Sequence, residues 1–423
     1  MTNVNPFELK PKNPELSFRS LAQLASKPYD KNEVDPYTKV RIILMNGTEF
    51  ESNAFSHQFS RHCVDNDLRR DFAIVRRVEQ QQQKAISSLK PMDEDILEHT
   101  IGYEQLAVDL TAIMAQNEPD KNVKAALDFA LLEDFDHLYR FSDMLEAEQG
   151  IQGERLVGSY TEIMPGRPTI CEHRHPIDEI KPRINCKKAD PITKLNTAII
   201  TAAEQQTMNY YMNVANFHGS DIGRKLFSEI AMIEEQHVSQ YESLKDSSCT
   251  WLEMALMHEY TECYLYYSMF EDETDKKVKE LWERHFYDEV AHLHAVKDLL
   301  AKHEKKDWQE VIPDGRFPTL LSFNKNIKNN KAYIRNVIKN TTCNTAVKEG
   351  YECINKVPSD FRFFKYNNTV CGKDDNVPSH KVIEQYIKEN GKDYRFEEKP
   401  HPIKELSDRT VDNTCIGRCQ ENK

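Results

Sequence analysis

Residues 202–244, AAEQQTMNYYMNVANFHGSDIGRKLFSEIAMIEEQHVSQYESL, decide the fold. Glu204 falls between Ile200 and Met208, while Glu234 and His237 fall between Ile230 and Tyr241, with Leu244 beyond. These three- and four-residue steps mark the inward stripe of a packed helix. Gly219-Ser220-Asp221 breaks the stretch into two helices. A carboxylate and an imidazole three positions apart share one helix face. The break lies midway in sequence between Glu204 and the Glu234/His237 pair, so in an antiparallel hairpin they stand level.

The same unit occurs twice more. Glu104 precedes Asp134 and His137, and Glu259 precedes Glu289 and His292; in all three units the acid follows after 30 residues and the histidine after 33. Asp134 and His137 continue the stripe Leu127, Leu131, Phe141, Met144, and Glu289 and His292 continue Val278, Leu281, His285, Val296, Leu299. Glu104 sits between Ile101 and Val108, and Glu259 between Leu256 and Cys263. Their turn midpoints also coincide with breaks, near 120 and 275. A buried carboxylate costs several kcal/mol unless it is paired or metal-bound. The ligand grammar matches a two-metal carboxylate site, built from one Glu on each of two helices and Glu-x-x-His on each of two others. The competing reading is buried salt bridges to Arg and Lys, or solvated faces. Three units at one spacing on core stripes favour ligands.

The chain has 423 residues and a net charge of -13. An acidic surface argues against nucleic acid as the main partner. Without a run of about 18 apolar residues no membrane span is expected, and MTNVNPFELKPKNPELSF lacks the apolar core of a secretory signal, so the expected compartment is the cytoplasm. Ten cysteines at irregular spacing, without C-x-x-C, read as free thiols. Five of them (Cys343, Cys353, Cys371, Cys415, Cys419) crowd the last 81 residues, where a structural metal is a minority reading.

Residues 1–55 read as an N-terminal arm with one strand, Thr38–Met45 (TKVRIILM), closed by Asn46-Gly47. Seven helices are expected over 56–304, at about 56–89, 94–116, 121–148, 193–217, 221–245, 250–270 and 274–304. A non-helical crossover covers about 149–192. Residues 305–423 read as a mixed or irregular extension, with helices near 326–339 and 378–390. The fold class is therefore all-α. Cys171, His173, His175 and Cys186 in the crossover match no standard zinc spacing and read as an exposed basic loop.

AAEQQTMNYY with IEEQHVSQYESL, and MHEYTECYLYY with YDEVAHLHAV, resemble the ferritin-like superfamily of non-haem dimetal-carboxylate proteins, the rubrerythrins in particular. The resemblance covers about 56–304. It implies a four-helix bundle whose halves are joined by a long crossover, holding two iron ions or an iron–manganese pair. Asp134 departs from the family, where glutamate is usual: a methylene shorter, it would bind one metal weakly, or Glu133 would substitute.

Loop length ranks the pairings. Joining the second and third units as parallel halves needs a return of about 24 Å, and residues 246–250 reach only about 17 Å. The preferred site is thus Glu104, Asp134 and His137 with Glu204, Glu234 and His237. Three readings stay open for Glu259, Glu289 and His292: a remnant with buried pairing, a site shared with a second copy in a homodimer, or the true partner of the Glu204 unit. Glu79 lies on its own inward stripe and either caps an extra site or pairs with an arginine. Tyr241 is a candidate tyrosine beside the ligands. The expected function is a dimetal oxidoreductase acting on dioxygen or peroxide, reducing peroxide as rubrerythrins do or oxygenating an organic substrate. Electrons would come from a separate donor, since no rubredoxin-like C-x-x-C pairs are present. Iron binding or storage without turnover is the alternative, and a scaffold with buried ion pairs the third.

Overall fold

The computed structural model describes residues 4–167, 171–341, 347–350, 352, 354–372, 377–391 and 395. Among these the chain is all-α, without a strand. In chain order the helices are α1 (Leu21–Leu24), α2 (Pro36–His62), α3 (Asn66–Ser87), α4 (Ile96–Asn117), α5 (Lys121–Gln149), α6 (Gly153–Val157), α7 (Pro191–Val214), α8 (Asp221–Leu244), α9 (Trp251–Asp272), α10 (Lys276–Glu304), α11 (Ile327–Thr341), α12 (Arg362–Val370) and α13 (Pro378–Asn390). None of them is long and apolar enough to cross a membrane.

The helix starts follow from side-chain oxygens that accept the free N–H groups of the first turn. Asp120 accepts from Asn122 and Val123 at α5, and Asp275 from Lys277 and Val278 at α10. Asp95 with Glu98 and Thr250 with Glu253 form reciprocal caps at α4 and α9. Gly150 ends α5 in the left-handed conformation, φ 69°, which glycine adopts without penalty.

Two compact bodies result. The first comprises Met1–Glu94, Arg183–Gln206 and Lys245–Lys325; the second comprises Asp95–Pro182, Thr207–Leu244 and Asn326–Lys423. In the first, α2 packs on α3 and α9, and α10 on α9 and α3, closing a ring of four helices. In the second, α5 packs on α4 and α8, and α13 lies against α5 and α8. The second half of α7 joins it: Tyr210 stacks on Tyr103 of α4 at 4.3 Å, and Tyr211 packs on Phe141 of α5 and Phe227 of α8.

Several expectations are corrected. Residues 38–45 are not a strand but the start of α2, capped by Asp35 with Pro36 in the first turn. Every residue from Tyr37 to Met45 is buried, including Arg41, whose guanidinium meets Asp272 at 2.8 Å and Glu273 at 3.3 Å. Gly47 is not a turn but mid-helix, where a Cβ would come within 2.7 Å of the Gln206 side chain and 3.1 Å of the Ala202 carbonyl. The N-terminal arm therefore ends before α2, and the single helix expected over 56–89 is the end of α2 plus α3, divided at Cys63–Asp65 where Asp65 caps α3. The described part of residues 305–423 makes polar contacts with the second body: α11 donates the Asn330 amide to the Asp109 carbonyl at 3.1 Å, and buried Arg395 pairs with Glu154 at 2.8 Å and with Asp143. Of the five late cysteines Cys371 packs beside Cys171 and Val377; Cys343, Cys353, Cys415 and Cys419 lie outside the described residues.

Candidate metal centres

In the second body, α5 and α8 bring His137, Glu234 and His237 together, with Glu104 from α4. One oxygen of Glu234 stands 3.1 Å from His137 Nδ1 and the other 3.3 Å from His237 Nδ1. Asp134 Oδ1 is 3.4 Å from His237 Nδ1, and Glu104 Oε2 is 4.0 Å from His137 Nδ1. Ligand atoms of Glu104, His137 and Glu234 fall within 4.8 Å of one another, as do those of Asp134, Glu234 and His237. Glu234 thus belongs to two overlapping groups, as a carboxylate bridging two cations must. All of these side chains are buried. Glu204 is buried as well, on α7, one turn before that helix enters the second body at Thr207.

The far ring nitrogens face carboxylates. His237 Nε2 is 2.7 Å from Glu133 Oε2, and His137 Nε2 is 3.3 Å from Glu172 Oε2. This is how metal-binding imidazoles are oriented, with the other nitrogen held by an acid so that Nδ1 points at the centre. Glu133 therefore holds a histidine rather than replacing Asp134. Arg167 lies 3.4 Å from the other oxygen of Glu133. Burial opposes charge on His137, yet Glu172, Glu234 and Glu104 lift it well above the usual imidazole range. Burial pushes Glu172 up to about 8, with His137 acting against the rise. Burial and the charges of Glu104 and Glu234 also push the Tyr211 hydroxyl well above its usual range, and it donates to Glu104.

Glu172 comes from the crossover, which is not an exposed loop near the centre. Arg167, Cys171 and Glu172 are buried. The Gly166 N–H donates to Asp136 Oδ1 at 2.8 Å, and the Arg167 N–H to the Leu132 carbonyl at 2.9 Å, tying the segment to α5. Cys171, His173, His175 and Cys186 do not form one cluster: the first three lie in the second body, and Cys186 groups with Asp246 and Cys249 in the first. Tyr241 is buried on α8, and the Tyr211 hydroxyl donates to the candidate ligand Glu104.

The third unit finds acidic company inside its own body. Ligand atoms of Glu79 (α3), Glu259 (α9), Glu289 and His292 (α10) lie within 4.8 Å of one another; Glu79 also groups with Glu49 (α2) and Glu262 (α9). His292 Nδ1 is 3.0 Å from Glu289 Oε2, 3.0 Å from Glu79 Oε1 and 3.8 Å from Glu259 Oε2. Glu79 pairs with histidine rather than arginine, and its other oxygen accepts from Ser52. Gln82 donates its amide to Glu289, and Tyr266 donates its hydroxyl to Glu49.

Glu49, Gln82 and Glu262 escaped the sequence reading, although a signal was present. Glu79 follows Glu49 by 30 residues and Gln82 follows it by 33. Glu49, Glu79 and Gln82 each stand 55 positions before Glu104, Asp134 and His137; Glu204, Tyr211, Glu234 and His237 each stand 55 positions before Glu259, Tyr266, Glu289 and His292. Four units exist, not three, and glutamine at the histidine position hid the first.

The donor chemistry fits divalent cations. In the first body Glu49 Oε2, both oxygens of Glu262, Glu259 Oε2 and His292 Nε2 are buried without a hydrogen-bond partner. Burial, with Glu79 and Glu289 nearby, pushes Glu49 well above the usual carboxylate range. Burial and neighbouring acids do the same to Glu259 and Glu262, and push Glu289 to about 7. Compared with family models, with curated proteins and with solved structures, the chain matches none.

Proposed function

We propose that the second body is a ferritin-like dimetal-carboxylate centre, holding two iron ions or an iron–manganese pair, and that it reduces peroxide or activates dioxygen. The observation that carries this reading is Glu234, which turns one oxygen to each of two imidazoles at 3.1 and 3.3 Å while Glu172 and Glu133 hold the far nitrogens. Glu104, Asp134, His137, Glu234 and His237 would be the ligands. Such a pair would offer a redox centre and a place for both oxygens of an O–O bond, and carboxylate-rich ligation suits iron and manganese.

The chain's own groups set the conditions. Glu172 and Glu133 fix which nitrogen of each histidine faces the centre. Burial excludes bulk water, so charges there act at low dielectric. The Tyr211 hydroxyl, held on Glu104, keeps a proton beside the centre. Electrons come from a separate donor.

The test is anaerobic loading with iron(II), metal analysis and then exposure to hydrogen peroxide or dioxygen with a reductant. Repeated consumption, lost in His137→Ala and His237→Ala, is expected. Retained metal without turnover would replace this function by iron binding or storage. Less than one metal per chain after loading would leave only a scaffold with buried ion pairs.

A further inference from the structure

We infer that the first body holds a second pair of divalent cations, in a centre complete within this chain and harder than the one above. One cation would lie among Glu79, Glu259, Glu289 and His292, the other among Glu49, Glu79 and Glu262, with Glu79 common to both. The acids alone would not carry this. Two further observations do. Glu49 and Glu262 are completely buried, and Glu49 Oε2 and both Glu262 oxygens lack a hydrogen-bond partner while converging on Glu79. A buried acceptor left unbonded costs free energy that a bound cation recovers. The cluster also repeats the register of the second body residue for residue at an offset of 55, down to the tyrosine bonded to the first glutamate (Tyr266 on Glu49, Tyr211 on Glu104).

The differences from that pattern are chemical. Gln82 replaces a histidine and gives its amide to Glu289 rather than a nitrogen lone pair to a cation. Glu262, one turn after Glu259, adds a carboxylate where the second body has Thr207. The set therefore offers five carboxylates and one imidazole. Oxygen-dominated sites favour hard divalent ions, manganese(II) and iron(II), over zinc or copper. His258 extends the network outward: its Nε2 is 3.6 Å from Glu262 Oε2 and its Nδ1 is 3.1 Å from Glu51, which also meets Lys245 at 3.1 Å.

This inference shares with the proposed function only the premise that these buried acids bind cations, and it does not require turnover. The test uses the full-length protein, stripped of metal, loaded anaerobically with manganese(II) alone, desalted and counted. The unmodified chain should hold about four ions and the His137→Ala/His237→Ala variant about two, counting two per centre. Glu49→Gln/Glu262→Gln, which keeps side-chain volume, should lose at least one ion relative to the unmodified chain. Its metal-free form should unfold no earlier than the unmodified metal-free protein, because two crowded acids are gone. Complete loss of manganese in the histidine variant, or an unchanged count in the glutamine variant, would overturn the inference. So would a glutamine variant whose metal-free form unfolds markedly earlier, since those residues would then be structural. If the unmodified chain holds two ions and the histidine variant keeps both, the first-body centre stands and the second-body reading falls.

Discussion

Glu234 is the residue on which most of the second centre turns. Its two oxygens stand 3.1 Å from His137 Nδ1 and 3.3 Å from His237 Nδ1. Glu234→Ala should therefore abolish paired binding there and leave at most one weakly held ion, read as a fall in the magnetically coupled manganese per chain. Glu172→Gln keeps the volume but removes the charge facing His137 Nε2. Loss of an acid that orients a metal-binding histidine typically costs 10–100-fold in affinity, and a shift of that size in a manganese titration is expected. Outside the ligand sets, His173 and Glu229 form a partly buried pair at 3.2 Å. Burial disfavours the charge, but Cys371 and Glu229 raise His173 to about 10. A histidine raised in the folded state stabilises fully below its unfolded value, about 6.5, and loses that stabilisation as pH climbs towards 10. Thermal stability should fall between pH 7 and pH 10, and the fall should be shallower in His173→Gln.

At the scale of elements, the helices bounded by clear caps and breaks were legible, and α2, whose first turns are wholly buried, was not. α4, α5, α8, α9 and α10 begin and end within about two residues of their expected limits, the usual scatter of helix ends, because caps and apolar stripes mark them. α2 gave no stripe: with Tyr37–Met45 wholly buried there is no polar face to set a period, and TKVRIILM then resembles a strand. Glu49 vanished with it. Gln82 was invisible for a different reason, since a pattern defined by histidine cannot register an amide. The ligand residues of the second body were legible through spacing, but Glu172 was not, because a side chain delivered by an irregular segment carries no period. Its delivery depends on close approach. A Cβ on Gly166 would lie 2.1 Å from the Leu132 carbonyl and 2.7 Å from the Asp136 nitrogen. Gly166→Ala should displace the segment from α5, cost roughly 1–3 kcal/mol and weaken metal binding in the second body, measured by thermal unfolding and by titration of the same variant.

Among the described residues, each body carries a cluster of buried carboxylates that could hold a cation, and each cluster is destabilising until its charge is met. Metal removal should accordingly lower the unfolding midpoint far more than a single surface change would. Ligand held at about a thousand times its dissociation constant adds roughly 4 kcal/mol per site. Calorimetry of the protein with and without manganese should show that increment, and the His137→Ala/His237→Ala chain should retain only part of it. Equal midpoints with and without metal would remove the cations from the account of stability.

The order of the four hairpins has a consequence for synthesis. α2 and α3 leave the ribosome first, yet α9 and α10, which complete their ring, come last, after α4, α5, α7 and α8. Translation proceeds at about 5–20 residues per second, so Glu49 and Glu79 wait roughly 10–50 s for Glu259, Glu262, Glu289 and His292. During that interval α2 and α3 form a nascent hairpin with an unmatched acidic seam, an exposed apolar flank and a need for protection, while α4, α5 and α8 can already close on one another.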